Sequence, residues 1–224
     1  MYIYILTLAE VPNRYAITFS RLKTAGFNHR DFIKHNGIMG DIHPKELALK
    51  KKYWNISDDL TPAQAGCSIA HLDVYERFLA TEEPYCLIVE DDVVFPKNFM
   101  NYFNEFPLKY DFLFIGWQDP PDEYSIHKIA PHQIYEQYLT HYPLCMHCYI
   151  ITRSGAQKIC NAIKSSQLKN ILDEWFYKYA VFYDIHSICV NGNFYDIPKP
   201  TNIRLNRANG IAYQDKNIAS VIDQ

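Results

Sequence analysis

An α/β fold built on a mainly parallel sheet is predicted by three features of the sequence. Two uninterrupted apolar runs, Tyr85-Cys-Leu-Ile-Val-Glu90 and Asp111-Phe-Leu-Phe-Ile-Gly116, read as strands buried on both faces, because a strand covered on one face only alternates polar with apolar residues. A third apolar run, Ile3–Leu8, stands near the amino terminus. Helical patterns separate these runs, and alternation of strand and helix is the mark of crossover units in a parallel sheet.

The elements can be justified in order. After the first strand comes a polar turn, then a helical pattern from Arg14 to Ala25 that stops at Gly26. Residues 35–60 carry little periodicity apart from a charged helical stretch near Pro44–Tyr53. Thr61-Pro-Ala-Gln64 marks a helix start: Thr61 can cap the first turn, Pro62 suits the first helical position, and Gln64 can reach back to the cap. The helix after it carries Ile69, Leu72, Tyr75 and Leu79 at helical spacing and ends near Glu82-Glu83-Pro84. Beyond the two buried strands, residues 117–141 read as a long loop and Tyr149–Thr152 as a further strand. Ser154 is expected to cap the next helix, and Asp173-Glu-Trp-Phe-Tyr opens a short aromatic one. The tail from about Asn191 shows little regular pattern. With no repeat, linker or low-complexity tract, residues 1–224 are expected to form one domain.

Composition excludes several classes. The 224 residues are 48% hydrophobic and 21% charged, the balance of a globular chain rather than a disordered one. A chain of this length buries about 70% of its unfolded surface and needs no staples. The formal charge of −3 argues against nucleic acid as a partner. No apolar run reaches the length of about 18 residues that spans a bilayer. The apolar start lacks a basic leader and a small-residue cleavage site, so it is read as strand, not export signal. Six cysteines in apolar contexts are then expected to be buried thiols of a cytoplasmic protein. Cys145-x-x-Cys148 has no second cysteine pair and runs on into a strand, so a structural reading is preferred to a metal or redox one.

The sharpest feature is Glu90-Asp91-Asp92 at the end of a buried strand. Three ionised carboxylates there lose hydration and repel one another. A divalent cation relieves that cost, and oxygen-only ligands suit Mg²⁺ or Mn²⁺. The carboxyl end of a strand is also where open α/β sheets collect ligands. The period of two sets Glu90 and Asp92 on one side and Asp91 on the other. A solvated acidic turn is the plain alternative.

With that motif in place, the chain resembles glycosyltransferase family 25, the lipooligosaccharide galactosyltransferases and their collagen-modifying relatives. The resemblance runs over residues 2–180. It rests on Tyr4-Ile-Leu-Thr-Leu8 with Asn13-Arg14, on His35-Asn-Gly37, and on Leu60-Thr-Pro-Ala-Gln-Ala-Gly-Cys67 with His71. Leu87-Ile-Val-Glu-Asp-Asp-Val93, Tyr149-Ile-Ile-Thr152 with Gly155-Ala156, and Asp173 complete it. Ala63 and Gln64 stand where the family has Gly-Glu, and Ala70 where it has Ser.

The resemblance implies a GT-A-like, Rossmann-related sandwich and inverting transfer of a sugar to a saccharide hydroxyl. The expected donor is UDP-galactose, the acceptor a lipooligosaccharide or lipopolysaccharide, the cofactor Mn²⁺ or Mg²⁺, and the place the cytoplasm or the inner face of the membrane. Asp92 would hold the metal, with Glu90 or Asp91 assisting it or bonding the ribose. Asp173 is the expected base, with Glu174 in reserve, although Asp173 equally suits a helix cap. Trp175, Phe176 and Tyr177 could stack on a sugar face. His71 is either a nucleotide-facing donor or a structural histidine, and Arg14 either meets a donor phosphate or lies on the surface. His186 is a further nitrogen for the metal, and the Tyr-rich stretch 135–149 suits either packing or an acceptor groove. Two rival functions fit the same acidic cluster: a metal-dependent phosphohydrolase or nucleotidyltransferase, and a non-catalytic saccharide- or cation-binding domain.

Overall fold

The computed structural model describes residues 1–96, 99–101, 106–118, 135–136, 144–190, 205–206 and 213–215. The elements in chain order are β1 (Tyr2–Leu8), α1 (Pro12–Thr24), β2 (Phe32–Gly37), α2 (Pro44–Tyr53), α3 (Pro62–Leu79), β3 (Tyr85–Glu90) and β4 (Val93–Val94). Next come β5 (Phe112–Gln118), β6 (Tyr135–Glu136), β7 (Leu144–Thr152), α4 (Arg153–Ser165), α5 (Leu172–Tyr179), β8 (Ser187–Val190), β9 (Leu205–Asn206) and β10 (Tyr213–Asp215).

A 7-stranded sheet with order β2-β1-β3-β7-β5-β8-β6 forms the centre. Strands β1, β2, β3, β5 and β8 run the same way, while β7 and β6 run against them. The predicted α/β class and mainly parallel sheet are present, in agreement with the GT-A-like expectation. The reversal at β7, in the middle of the sheet, has no sequence signature, because a strand buried on both faces is apolar in either direction.

Alternate residues of the central strands feed two cores. Tyr4, Leu6, Cys86 and Ile88 join the core under α3, α4 and α5. Ile3, Ile5, Leu87 and Val89 join the one that holds Leu22 of α1. The period of two thus separates a face covered by α1 from a face covered by the later helices.

Helix α3 is held against the strand ends by its own first turns. Its start is a complete capping box: the Gln64 N–H donates to Thr61 Oγ1 (3.3 Å), and the Thr61 N–H donates to Gln64 Oε1 (3.1 Å). The first two turns press on the end of β2 and the chain after it. A Cβ added at Gly37 would stand 3.3 Å from Ala70, and one at Gly66 only 2.3 Å from the Ile38 carbonyl oxygen. The amino end of α3 therefore sits at the carboxyl ends of β1, β2 and β3.

Three local expectations need correcting. The cap of α4 is Thr152, whose Oγ1 accepts from the Gly155 N–H at 3.2 Å, and not Ser154. Residues 35–60, read as having little periodicity, begin inside strand β2, and part of the tail returns as β9 and β10, with β10 pairing antiparallel to β4 just after the acidic triplet. The expected loop at 117–141 lies outside the described residues, apart from the end of β5 and the short β6. All six cysteines are free thiols. Among the described residues, no helix is long and apolar enough to cross a membrane.

Candidate functional site

Strand β3 ends at Glu90, and the chain turns at Asp91 and Asp92 before β4. Since Cys86 and Ile88 face α3 while Leu87 and Val89 face α1, Glu90 continues toward α3 and Asp91 toward α1. The register Leu6↔Glu90 brings Thr7 beside Asp91. Thr7 Oγ1 donates to Asp91 Oδ2 at 2.6 Å, and Arg14 of α1 places its guanidinium 2.5 Å from Oδ1. Thr18, one helical turn on, donates to the Asp91 carbonyl at 2.6 Å. Burial pushes the Asp91 carboxyl above its ordinary range, although the Thr7 hydroxyl and the Arg14 guanidinium pull it back down. Asp91 is thus a clasp between β1, α1 and the turn.

Asp92 is buried and lies 3.8 Å from the same guanidinium, beyond hydrogen-bond length. The expected pairing of Glu90 with Asp92 on one side is not found. The period of two holds only as long as the backbone is extended, and here the turn brings Asp92 round to the Arg14 side. Arg14 itself is a half-buried partner of the triplet rather than a plain surface residue.

On the other side, His71 Nε2 is 3.4 Å from Glu90 Oε1, and His71 Nδ1 is 2.8 Å from the Tyr149 hydroxyl. Tyr149 in turn lies 2.6 Å from the Tyr75 hydroxyl. Cys67 stands one turn before His71 on α3, and one ligand atom each from Cys67, His71 and Glu90 fall within 4.8 Å of one another. Sequence reasoning gave His71 a site role but none to Thr7, Cys67 or Tyr75, and reached Tyr149 only as part of the 135–149 stretch. The i, i+4 spacing of Cys67 and His71 was the one available signal; the others need the strand register.

The remaining expected residues are placed differently. Asp173 lies in the first turn of α5, where its Oδ1 accepts from the Glu174 N–H at 2.8 Å. The residue in the cap position is Ile171, so Asp173 is not the cap. The Leu172 N–H donates to Ser68 Oγ of α3 at 3.1 Å, which anchors the start of α5 to the helix that carries His71. Glu174 is exposed and pairs with Asn170 and Lys178. Trp175, Phe176 and Tyr177 are 3%, 0% and 4% exposed, so their rings belong to the core and none offers a face to a sugar. Phe176 packs 4.6 Å from Phe112, centre to centre.

His186 is not brought to the triplet. It precedes β8, level with Asp111 and Tyr85 in the register, hence about 16 Å along the strands from Glu90 at ~3.3 Å per residue. Its ring bonds Asp184 at 2.7 Å instead. Of the 135–149 stretch, Tyr149 is fully buried between the helices and the sheet, and residues 137–143 lie outside the described residues.

Asp92 and Glu90 are oxygen donors on either side of the turn, and Asp91 is already engaged by Thr7 and Arg14. That donor set fits a hard divalent cation. The Cys67–His71–Glu90 set adds a thiol and an imidazole, which suit a softer metal.

An α/β sheet with an acidic site at the carboxyl ends of adjacent parallel strands is the arrangement of an α/β enzyme that binds its ligand at the strand ends. Residues 1–175 match the family model of glycosyltransferase family 25, described as LPS biosynthesis protein. The chain belongs to glycosyltransferase family 25. A relative from Acanthamoeba polyphaga mimivirus, a procollagen lysyl hydroxylase and glycosyltransferase, is 28% identical over 189 residues. That match covers 75% of this chain and spans only 20% of the relative's length. Among solved structures, a Drosophila β-1,4-galactosyltransferase 7 mutant in complex with manganese, UDP-Gal and xylobiose is 11% identical with a TM-score of 0.44, covering 100% of this chain and 73% of that one. A glycosyltransferase involved in glycosylation of the major capsid of PBCV-1 is 14% identical with a TM-score of 0.37, covering 74% and 66%.

Proposed function

We propose that this glycosyltransferase moves galactose from UDP-galactose to a hydroxyl of a lipooligosaccharide-type saccharide, with inversion and with Mn²⁺ or Mg²⁺ as cofactor. The observation that carries the reading is the buried Asp92 beside Arg14, with Glu90 across the turn, at the carboxyl ends of β1 and β3. Asp92 and Glu90 would hold the cation, which when bound neutralises charge on the departing diphosphate. Arg14, fixed against Asp91, keeps the turn rigid and tempers the repulsion among the three carboxylates. Asp173 is the proposed base. As the acceptor oxygen bonds the anomeric carbon and the bond to the diphosphate breaks, its carboxylate takes the hydroxyl proton. Its support is its place on a helix anchored to α3 through Ser68. The free thiols favour a reducing compartment, and the cytoplasm is the proposed location.

The test is transfer from a panel of labelled sugar nucleotides, with and without Mn²⁺, onto lipooligosaccharide and onto a procollagen-type peptide. UDP-galactose with the saccharide and metal is expected to react, and Asp92→Asn to abolish turnover. Asp173→Asn is expected to lower kcat by about 10²–10⁴ with UDP affinity unchanged. Release of free sugar or phosphate without an acceptor would instead favour a hydrolase, and metal-independent transfer by Asp92→Asn would remove the metal assignment.

A further inference from the structure

The described residues hold one buried polar chain that the proposed transfer does not use: Tyr75, Tyr149 and His71, ending at Glu90. Tyr75 and Tyr149 are fully buried, and His71 is 3% exposed. The spacings are 2.6 Å from Tyr75 Oη to Tyr149 Oη, 2.8 Å from there to His71 Nδ1, and 3.4 Å from His71 Nε2 to Glu90 Oε1.

We infer that this chain runs in one direction, from Tyr75 through Tyr149 to His71, and so fixes the histidine proton on Nε2, aimed at Glu90. With the imidazole neutral, three protons must be placed, two hydroxyl and one imidazole. Among the described residues the Tyr75 hydroxyl meets only that of Tyr149. Its proton therefore goes to the Tyr149 oxygen. The Tyr149 proton then has only Nδ1 of His71 to bond, and Nδ1, as an acceptor, leaves the ring proton on Nε2. In the reverse direction the Tyr75 proton would be stranded in the core, a loss that biases the two tautomers by about ten-fold. Burial also raises both phenols well above their ordinary range, so each keeps its proton.

This direction has two effects on the site. Tyr149 is the positioning residue, backed by Tyr75: it makes His71 a donor that holds the Glu90 carboxylate on the α3 side of the turn. The same proton occupies the nitrogen that would have to be bare for a metal to bind between Cys67, His71 and Glu90. The soft set is then an organised hydrogen-bond site, and the cation is left to the oxygen donors. This rests on the proposed function only in assigning Glu90 to the donor site; the tautomer itself does not depend on it.

The experiment is ¹⁵N NMR of the full chain with labelled histidine, the His71 signals being identified by their loss in His71→Gln. The wild type is expected to show a protonated Nε2 and an accepting Nδ1. Tyr75→Phe leaves the Tyr149 proton with Nδ1 as its one partner among the described residues, so the wild-type tautomer is expected to persist in that variant. Tyr149→Phe removes the hydroxyl bonded to Nδ1, so a mixture of tautomers is expected there, with a rise of about ten-fold in donor KM and little change in kcat. A wild-type ring protonated on Nδ1, alone or together with Nε2, a zinc- or manganese-induced shift centred on Nε2, or a Tyr149→Phe spectrum identical to wild type would overturn the inference. Absence of sugar transfer with the expected tautomer in place would count against the functional reading alone.

Discussion

His35 illustrates how burial, more than any single neighbour, sets a charge state in this protein. The imidazole lies on β2, and burial lowers it from its ordinary 6.5 to about 4, with Asp73 pulling it up and Arg77, His71 and Lys50 pressing it down. Between these two values the unfolded chain binds a proton that the folded chain does not. Stability therefore falls as pH drops from 6.5 toward 4, with an upper bound of about 3–4 kcal/mol at 1.36 kcal/mol per unit. Thermal melts across that window are expected to show a shallower acid loss in His35→Gln than in wild type; equal slopes would place the loss elsewhere. The same dependence on surroundings explains which site residues were legible. Glu90, Asp91 and Asp92 announce themselves because clustered carboxylates after an apolar run are costly wherever they lie. Thr7 is an ordinary strand threonine until the register sets it beside Asp91. Trp175, Phe176 and Tyr177 look like a sugar platform in sequence, yet a helix of eight residues that packs on Phe112 and Phe114 has its rings drawn into the core.

At the scale of elements, α3 was the most readable because its start is written locally. The capping signals span four adjacent residues and are all used, and a cap of this kind contributes about 1 kcal/mol. What the pattern did not show is how closely α3 approaches the chain after β2. A Cβ on Gly66 would meet the Ile38 carbonyl oxygen at 2.3 Å, and that neighbour is backbone, which cannot rotate away. Gly66→Ala is therefore expected to destabilise by about 1–3 kcal/mol despite the better helix propensity of alanine. Denaturant melts measure this, and a neutral or stabilising change would mean that α3 sits further out. Strands β2 and β8 escaped notice for opposite reasons. β2 carries Lys34, His35 and Asn36 and is only partly covered, while β8 is just four residues long.

Over the whole molecule, each half of the site is delivered by a different face of the sheet. α1 brings Arg14 and Thr18 to Asp91 from one side, and α3 brings His71 to Glu90 from the other. The turn that carries Asp92 is where the two layers meet. The sequence announced the alternation of strands and helices, but not the reversed β7, whose Tyr149 closes the chain behind His71, because strand order and direction are properties of the assembled sheet. Such a division makes a global readout possible. A ligand held at the turn ties together α1, α3, β1 and β3, and binding to the folded state alone stabilises it by RT ln(1 + [L]/Kd), about 2.7 kcal/mol at 100 times Kd. For a chain of this size each kcal/mol moves the melting temperature by about 2–4 °C. UDP with Mn²⁺ at that excess is expected to raise Tm by roughly 5–11 °C. UDP alone should do less, since its diphosphate then faces three carboxylates. Asp92→Asn should lose the metal-dependent part of the rise while melting near the wild type in the absence of ligand. Equal shifts with and without Mn²⁺ would show that the diphosphate is held by protein groups alone, and the acidic turn would then need another occupant.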